Sequence, residues 1–330
     1  AVQGMPLEQD EFNSIFKEAS EDFSYYNKLF DIYNDYDGIN NIKTINDNAG
    51  IQPVEVDPVI IEMLEEAKYF YDLSNGEFDV TIGALLHVWH NYREEGITLN
   101  TNGEKGNVPT LDELENASIN KGWNHVLIDT EKNTVYIDDT HISLDVGGIA
   151  KGFATEKIAQ SLESEGITTG AINAGGNNRT LGQKYDGSNW RVGIQNPKGS
   201  DSILVVNMDG KCSFVTSGDY ERYYEATDGN KYHHIIDPET LFPATNFHSV
   251  SIITEDSGVA DCLSTTLFTL SYEEGLKVLD TYRKEHPDTF IEAIWIMDED
   301  KDIDTEYKHV TNNQLIVYSE GLKDKLTWVD

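Results

Sequence analysis

Three short strings hold residues whose types and spacing suit chemistry on a phosphorylated compound. In Ser143–Gly152 an acid, Asp145, and a base, Lys151, flank the glycine pair Gly147 and Gly148. Strand-like residues precede this string, and Ile149, Ala150, Phe153, Ala154, Ile158, Ala159 and Leu162 follow it at helical spacing. The glycines therefore sit at a predicted helix start. Unpaired N–H groups and the positive end of the helix dipole favour an anion there, and glycine admits a phosphate close to the main chain. An ordinary strand-to-helix turn carries the same pattern. In the second string, Asp261 and Thr265 lie four apart on a helix predicted over Ala260–Leu270, so both oxygens project from one face. One carboxylate, one hydroxyl, a backbone carbonyl and substrate phosphate oxygens would form the sparse oxygen site that magnesium accepts; an Asp at a helix start also serves as an N-cap. The third string contains His233 and His234. Neighbours on a strand point to opposite faces, so these two cannot easily share one ion; one suits general-base work on a hydroxyl and the other packs.

The overall charge narrows the choice of ligand. Lys and Arg number 24 against 59 Asp and Glu, so the formal charge is 24 − 59 = −35. That field repels nucleic acid and anionic membrane surfaces, and a phosphorylated ligand needs a local remedy such as a metal ion or a ring of amides. The only cysteines are Cys212 and Cys262, without a CxxC pair or a Cys/His cluster, so neither a disulfide framework nor a zinc site is expected. Neither glycine pair has the GxGxxG spacing or the Lys-Ser ending of a P-loop; Gly175–Gly176, after a strand and before polar residues, reads as a tight turn. No apolar run approaches a membrane span, and the N-terminal residues do not form a signal peptide, as in a mature or truncated chain. Scarce cysteine and an acidic, tyrosine-rich surface suit an exported protein.

The elements that must position these strings differ along the chain. Residues from Phe12 to Ile32 supply a helical apolar stripe, and Asp57–Pro58 opens a second helix with Ile60, Ile61, Met63, Leu64, Ala67 and Phe70. A tyrosine-bearing turn, Tyr33–Gly38, separates them. Val80–Trp89 is a third apolar stretch, and Glu94–Gly106 reads as a surface loop. Strands are predicted at residues 125–129, 134–137 and 141–144, then 170–174, 190–194, 203–207, 212–216 and 249–254. Helices over residues 260–270 and 272–282 follow, with edge strands at 292–297 and 314–318. Helices do not alternate regularly with strands, which predicts an α+β fold with an antiparallel sheet packed by helices. We expect a single domain over residues 1–330, helical to about 120 and sheet-rich beyond.

Six strings in order resemble the ApbE family of FAD-dependent flavin transferases: Gly76–Gly83, Leu144–Ala154, Asn173–Asn177, Thr216–Tyr220, His233–Pro238 and Ala260–Thr265. The likeness spans roughly residues 12–300. It implies an ApbE-like domain and a magnesium-dependent enzyme that cleaves the FAD pyrophosphate, links FMN to a Thr or Ser hydroxyl of an acceptor protein and releases AMP. A FAD pyrophosphatase giving FMN and AMP, or a non-enzymatic FAD-binding protein, is the alternative. By matched position, Asp145, Lys151, Glu77, Phe78 and Asp79 would contact FAD, with Ile235 against it. The Gly148 carbonyl, Asp261 and Thr265 would hold Mg2+, and His234 would be the reactive histidine beside the acceptor hydroxyl, with Asp261 also catalytic. A dication and a helix N-terminus would answer the charge problem at the pyrophosphate. Tyr33, Tyr36 and Phe78 are candidate flat walls for flavin or adenine. The acceptor implied is a membrane redox-complex subunit or an FMN-binding domain, and the location extracytoplasmic, anchored as a lipoprotein in full-length form. Two departures stand out. Ala1–Glu11 lacks the family's Met-Gly-Thr-type strand, and Leu241 occupies the glycine position of Asp-Pro-x-Thr-Gly-x-Pro, which implies a loop that runs differently or another acceptor.

Overall fold

The computed structural model describes residues 8–329; the stretch 1–11, read as lacking the Met-Gly-Thr-type strand, falls partly outside this range, and residues 9–11 within it are helical. The chain forms two compact units from interleaved stretches, one comprising Tyr25–Gly148 and Asp219–Thr245, the other the chain up to Ser24, Ile149–Gly218 and the chain from Asn246 onward. The boundary after Ser24 falls inside helix α1 (Gln9–Phe30).

In the first, mostly helical unit, α2 (Ile42–Asp47) is closed by a capping box between Asn41 and Thr44. Helix α3 (Pro58–Leu73) starts as the sequence predicts: Asp57 accepts from the Val59 amide and Pro58 occupies the first turn. Its buried face carries the six apolar residues expected, and the five larger than Ala67 each contribute about 1.5–3 kcal/mol when fully buried. Helix α4 (Gly83–Thr101) corrects the sequence reading, because the presumed loop from Glu94 is helical to Thr101. Gly96 marks close packing rather than a turn: a Cβ there would sit 2.3 Å from Cδ2 of the Tyr224 ring. Helix α5 (Leu111–Ala117) follows. Strands β1 (Val54–Glu55), β2 (Val126–Asp129) and β3 (Thr134–Ile137) form a small antiparallel sheet in the order β1-β3-β2. The predicted strand over 141–144 does not join it and makes one parallel bridge, Ser143 to Ile82. Asn46 replaces the ladder: its side chain both donates to the Leu144 carbonyl and accepts from the Leu144 amide.

The second unit is built on a seven-stranded, fully antiparallel sheet. Its strands are β4 (Ala171–Ala174), β5 (Asn177–Leu181), β8 (Lys211–Gly218), β11 (Ser249–Thr254), β12 (Ile291–Asp298), β13 (Lys308–Thr311) and β14 (Gln314–Tyr318), in the order β13-β14-β12-β11-β8-β5-β4. Gly175 and Gly176, with φ of 62° and 102°, make the two-residue turn of the β4–β5 hairpin. The strands at 291–298 and 314–318 were expected at edges and are interior; the edge is β13, whose alternating polar residues gave no strand signal. A second sheet, β15-β7-β6, comprises β6 (Trp190–Gln195), β7 (Ser202–Met208) and β15 (Leu326–Trp328). Ile294 and Ile296 of β12 pack against its apolar residues, while Trp295, on the other face, meets Tyr272 edge-on. Helices α6 (Ala150–Ser164), α7 (Ser257–Thr269) and α8 (Tyr272–Glu285) complete this unit. The remaining hairpin, β9 (Tyr223–Glu225) with β10 (Lys231–His233), belongs to the first. The fold is α+β.

Candidate functional site

In the sheet-rich unit the chemistry gathers where α6 meets α7. Helix α7 begins at Ser257, three residues before the predicted start, and is capped by Asp256, which accepts from the Gly258 and Val259 amides. Asp261 is therefore in the second turn and is not the N-cap that the sequence left open. Its Oδ2 accepts from the Gly152 amide at 2.8 Å, and Oδ1 lies 3.6 Å from Lys151 Nζ, which also donates to Asn177 Oδ1 at 3.0 Å. Asp261 is only 3% exposed, and burial pushes its carboxyl pKa up; Lys151, the Gly152 amide and Asn177 pull it back down. Thr265, half-buried, follows one turn later on the same helix. Gly152, unread in the sequence, makes the approach possible: a Cβ there would lie 2.2 Å from the Ser257 carbonyl oxygen and 2.5 Å from Asp261 Cβ.

This donor set fits a hard divalent ion. Among the described residues no group of three or more His, Cys, Asp and Glu side chains is gathered at one place. A buried carboxylate beside a hydroxyl supplies oxygen only, and a carboxylate whose burial disfavours its charge is stabilised by a nearby cation. Gly148 immediately precedes Ile149, the N-cap residue of α6, which has no side-chain cap of its own.

The helical unit holds the other candidates. Asp145 is anchored by its amide to the Val80 carbonyl, and its Oδ1 accepts from the Gly147 amide at 2.9 Å. Burial raises its pKa, opposed by that amide and by the charges of His90, Arg93 and His87. Asp79 Oδ1 accepts from both the amide and the hydroxyl of Thr81, and burial again raises its pKa. Glu77 is half-buried beside it. Phe78 is 3% exposed and its ring packs edge-on against Phe70, so this ring is a core group and not a flat wall for a ligand. Tyr36 donates its hydroxyl to Asp31 Oδ2, and the Asp31 carboxylate also fixes the Tyr33 and Asn34 amides. Tyr33 is 50% exposed, with its ring 5.1 Å from that of His90.

The two adjacent histidines have different surroundings, although only His233 is on the strand. His233 is buried; its Nε2 donates to the Ala244 carbonyl at 2.8 Å and its Nδ1 accepts from the Ile235 amide, which fixes a neutral ring. His234, half-buried, follows the end of β10, and Ile235 beside it is buried. Leu241 has φ of 68°, the left-handed backbone that glycine favours, so the turn keeps a glycine-type path with leucine in it. Its carbonyl accepts from Trp89 Nε1 and its amide donates to the Asp237 carbonyl. His90 and Arg93 were missed because the helix was ended too early; His87, His90 and Arg93, three apart on α4, are a legible helical ridge once it runs on.

The sequence pattern that defines the ApbE family matches residues 5–290. The chain belongs to the ApbE family. It is 36% identical over 254 residues to a Treponema pallidum FAD:protein FMN transferase, covering 72% of this chain and 67% of that one. With the Vibrio cholerae FAD:protein FMN transferase the identity is 30% over 274 residues, covering 82% and 76%. The fold matches the crystal structure of the ApbE protein from Thermotoga maritima with a TM-score of 0.72 and 31% identity over 89% of each chain. It matches the flavin transferase ApbE from Vibrio cholerae at 0.73 and 25%, over 98% of this chain and 93% of that one. The family match thus spans the strings built around Asp145, His234 and Asp261.

Proposed function

We propose that the chain is a magnesium-dependent FAD:protein FMN transferase that cleaves the FAD pyrophosphate, joins FMN to a Thr or Ser hydroxyl of an acceptor protein and releases AMP. The observation that carries this reading is the buried Asp261 carboxylate, held by the Gly152 amide and Lys151 on two packed helices, in a family whose named relatives are FAD:protein FMN transferases. Asp261, Thr265 and the Gly148 carbonyl would hold the metal, which when bound stabilises the negative charge that builds on the pyrophosphate oxygens. Lys151 and the α6 N-terminus add positive potential for the same phosphates. Asp145 and the Glu77–Asp79 turn bind FAD, the latter through Glu77, Asp79 and main-chain atoms, with Tyr33 as the flat wall for the isoalloxazine ring. With His233 held neutral by two backbone partners, His234 is the base that takes the proton of the acceptor hydroxyl. The acceptor is an extracytoplasmic flavin-carrying domain. Among the described residues no helix is long and apolar enough to cross a membrane.

The test is anaerobic incubation with FAD, with and without Mg2+ and a threonine-bearing acceptor domain, read by intact mass. Acceptor gaining one FMN only when Mg2+ is present is expected. Flavin release without acceptor labelling would instead establish a pyrophosphatase, and no turnover with FAD bound would leave only a binding protein.

A further inference from the structure

Outside the residues already assigned, one group is unusual for a chain with a formal charge of −35. On α4, His87, His90 and Arg93 form a ridge beside the exposed ring of Tyr33. The Arg93 side chain is only 13% exposed, and the carboxylate that approaches it, Glu94, lies 3.9 Å away and is itself largely in solvent. Burial works most against the guanidinium; Glu94 favours it, Arg222 opposes it, and Tyr33 and Asp145 favour it. Asp145 and Glu94 supply negative charge to this group, and a buried guanidinium favours a further electron-rich partner.

The geometry also fixes which atoms face that partner. Arg93 Nη2 lies 3.0 Å from His90 Nδ1. Guanidinium has donors only, so Nδ1 must accept, and the His90 proton is on Nε2. Arg93 therefore holds His90 as a neutral ring that presents an N–H. The His90 ring lies 5.1 Å from that of Tyr33, tilted by 31°, which puts the His90 and Arg93 donors beside the Tyr33 wall. A donor-only pair matches an edge with adjacent acceptors. The pyrimidine edge of isoalloxazine has one at N1 and the C2 carbonyl, whereas the amino edge of adenine sets a donor beside its acceptor.

We propose that Arg93 and His90 are specificity residues that recognise the N1 and C2 carbonyl edge of a flavin ring stacked on Tyr33. This rests on Tyr33 being the flavin wall in the transferase reading. The cation beside N1 further stabilises the negative charge that reduction places there, so bound flavin is easier to reduce than in the absence of Arg93.

Calorimetric titration of the full chain with FMN, FAD and ADP tests this. Arg93→Met, which keeps length but loses charge and donors, should weaken FMN and FAD about tenfold and leave ADP unchanged. Arg93→Lys should recover part of the loss, and His90→Phe, which keeps a ring on Tyr33, should weaken FMN several-fold. The midpoint potential of bound FMN should fall in Arg93→Met, an effect that loss of packing alone does not give. Unchanged FMN affinity in a variant with parental unfolding temperature overturns the proposal, as does equal weakening of ADP. Normal FMN transfer with that unchanged affinity leaves the transferase reading standing without it; tight, Arg93-dependent FMN binding without transfer does the reverse. A parent chain that binds no flavin refutes both.

Discussion

Replacing Gly152 with alanine should destabilise the protein, although the same exchange in an exposed helix interior stabilises it by about 1 kcal/mol. The new methyl would sit 2.2 Å from the Ser257 carbonyl oxygen, 2.9 Å from the Ser257 carbonyl carbon and 2.5 Å from Asp261 Cβ. Two of these are main-chain atoms of α7, so no side chain can swing aside and the helices must separate. Overpacking of this kind costs about 1–3 kcal/mol. Separation also stretches the 2.8 Å bond from the Gly152 amide to the buried Asp261 carboxylate, and a hydrogen bond to a charged group contributes about 1.5–3 kcal/mol. After subtracting the helix-propensity gain, the net loss is about 2–5 kcal/mol, or roughly 3–7 °C in Tm for a chain of 330 residues. Thermal unfolding followed by circular dichroism, with and without Mg2+, reads both consequences: a lower Tm, and a smaller Mg2+-induced rise because Asp261 has moved. An alanine variant as stable as the parent, with its Mg2+ response intact, would refute the close-packing argument and weaken the case for Asp261 as the metal's carboxylate.

Other outcomes follow from single contacts. Arg179→Met leaves Glu156 buried without the guanidinium that pairs with both its oxygens and should cost about 3–5 kcal/mol in urea unfolding; adding Glu156→Met should recover much of it. Lys198 and His248 hold the Asp298 carboxyl down to about 2, so its contribution is present above the ordinary carboxylate range and is lost as pH falls through about 2. Because Asp298 is half exposed, Asp298→Asn should cost under about 1 kcal/mol at neutral pH, and the difference should close in acid denaturation series. Burial pushes the Cys212 thiol up to about 12, and Cys262 is fully buried, so a thiol reagent should label neither until the chain unfolds. His234→Gln should abolish acceptor labelling while FAD affinity stays within a few-fold, measured by fluorescence quenching.

Local signals were legible wherever chemistry and spacing acted within a few residues. Asp57–Pro58 announces α3, and paired glycines announce the β4–β5 turn, because caps and positive φ are properties of the residues themselves. The failures share a physical cause, which is that a partner distant in sequence decides the outcome. Gly96 looks like a loop residue until Tyr224 is known to lie against it, and residues 141–144 look like a strand until Asn46 takes the hydrogen bonds of Leu144. Strand β12 resembles an edge until β14 pairs with it, which the polar residues of β13 conceal. Leu241 keeps a glycine-type backbone for which its own side chain gives no sign. At the candidate site, Asp261 and Lys151 stand out in their own strings, but the requirement for Gly152 appears only when two helices meet. His90 was invisible as long as α4 was ended at Trp89.

The interleaved chain also orders events during synthesis. Every residue of the helical unit has been made by Thr245, whereas the sheet-rich unit lacks β12 and β14 until later. Gly152 and Asp261 are 109 positions apart, so at about 5–20 residues per second α6 leaves the ribosome roughly 5–20 s before its carboxylate partner exists. During that interval α6 lacks α7, one of the elements it packs against, and Lys151 has no Asp261. A chain stalled or truncated between residues 245 and 261 would thus carry every residue of the helical unit and an α6 without its partner helix, making α6 a segment in need of a chaperone.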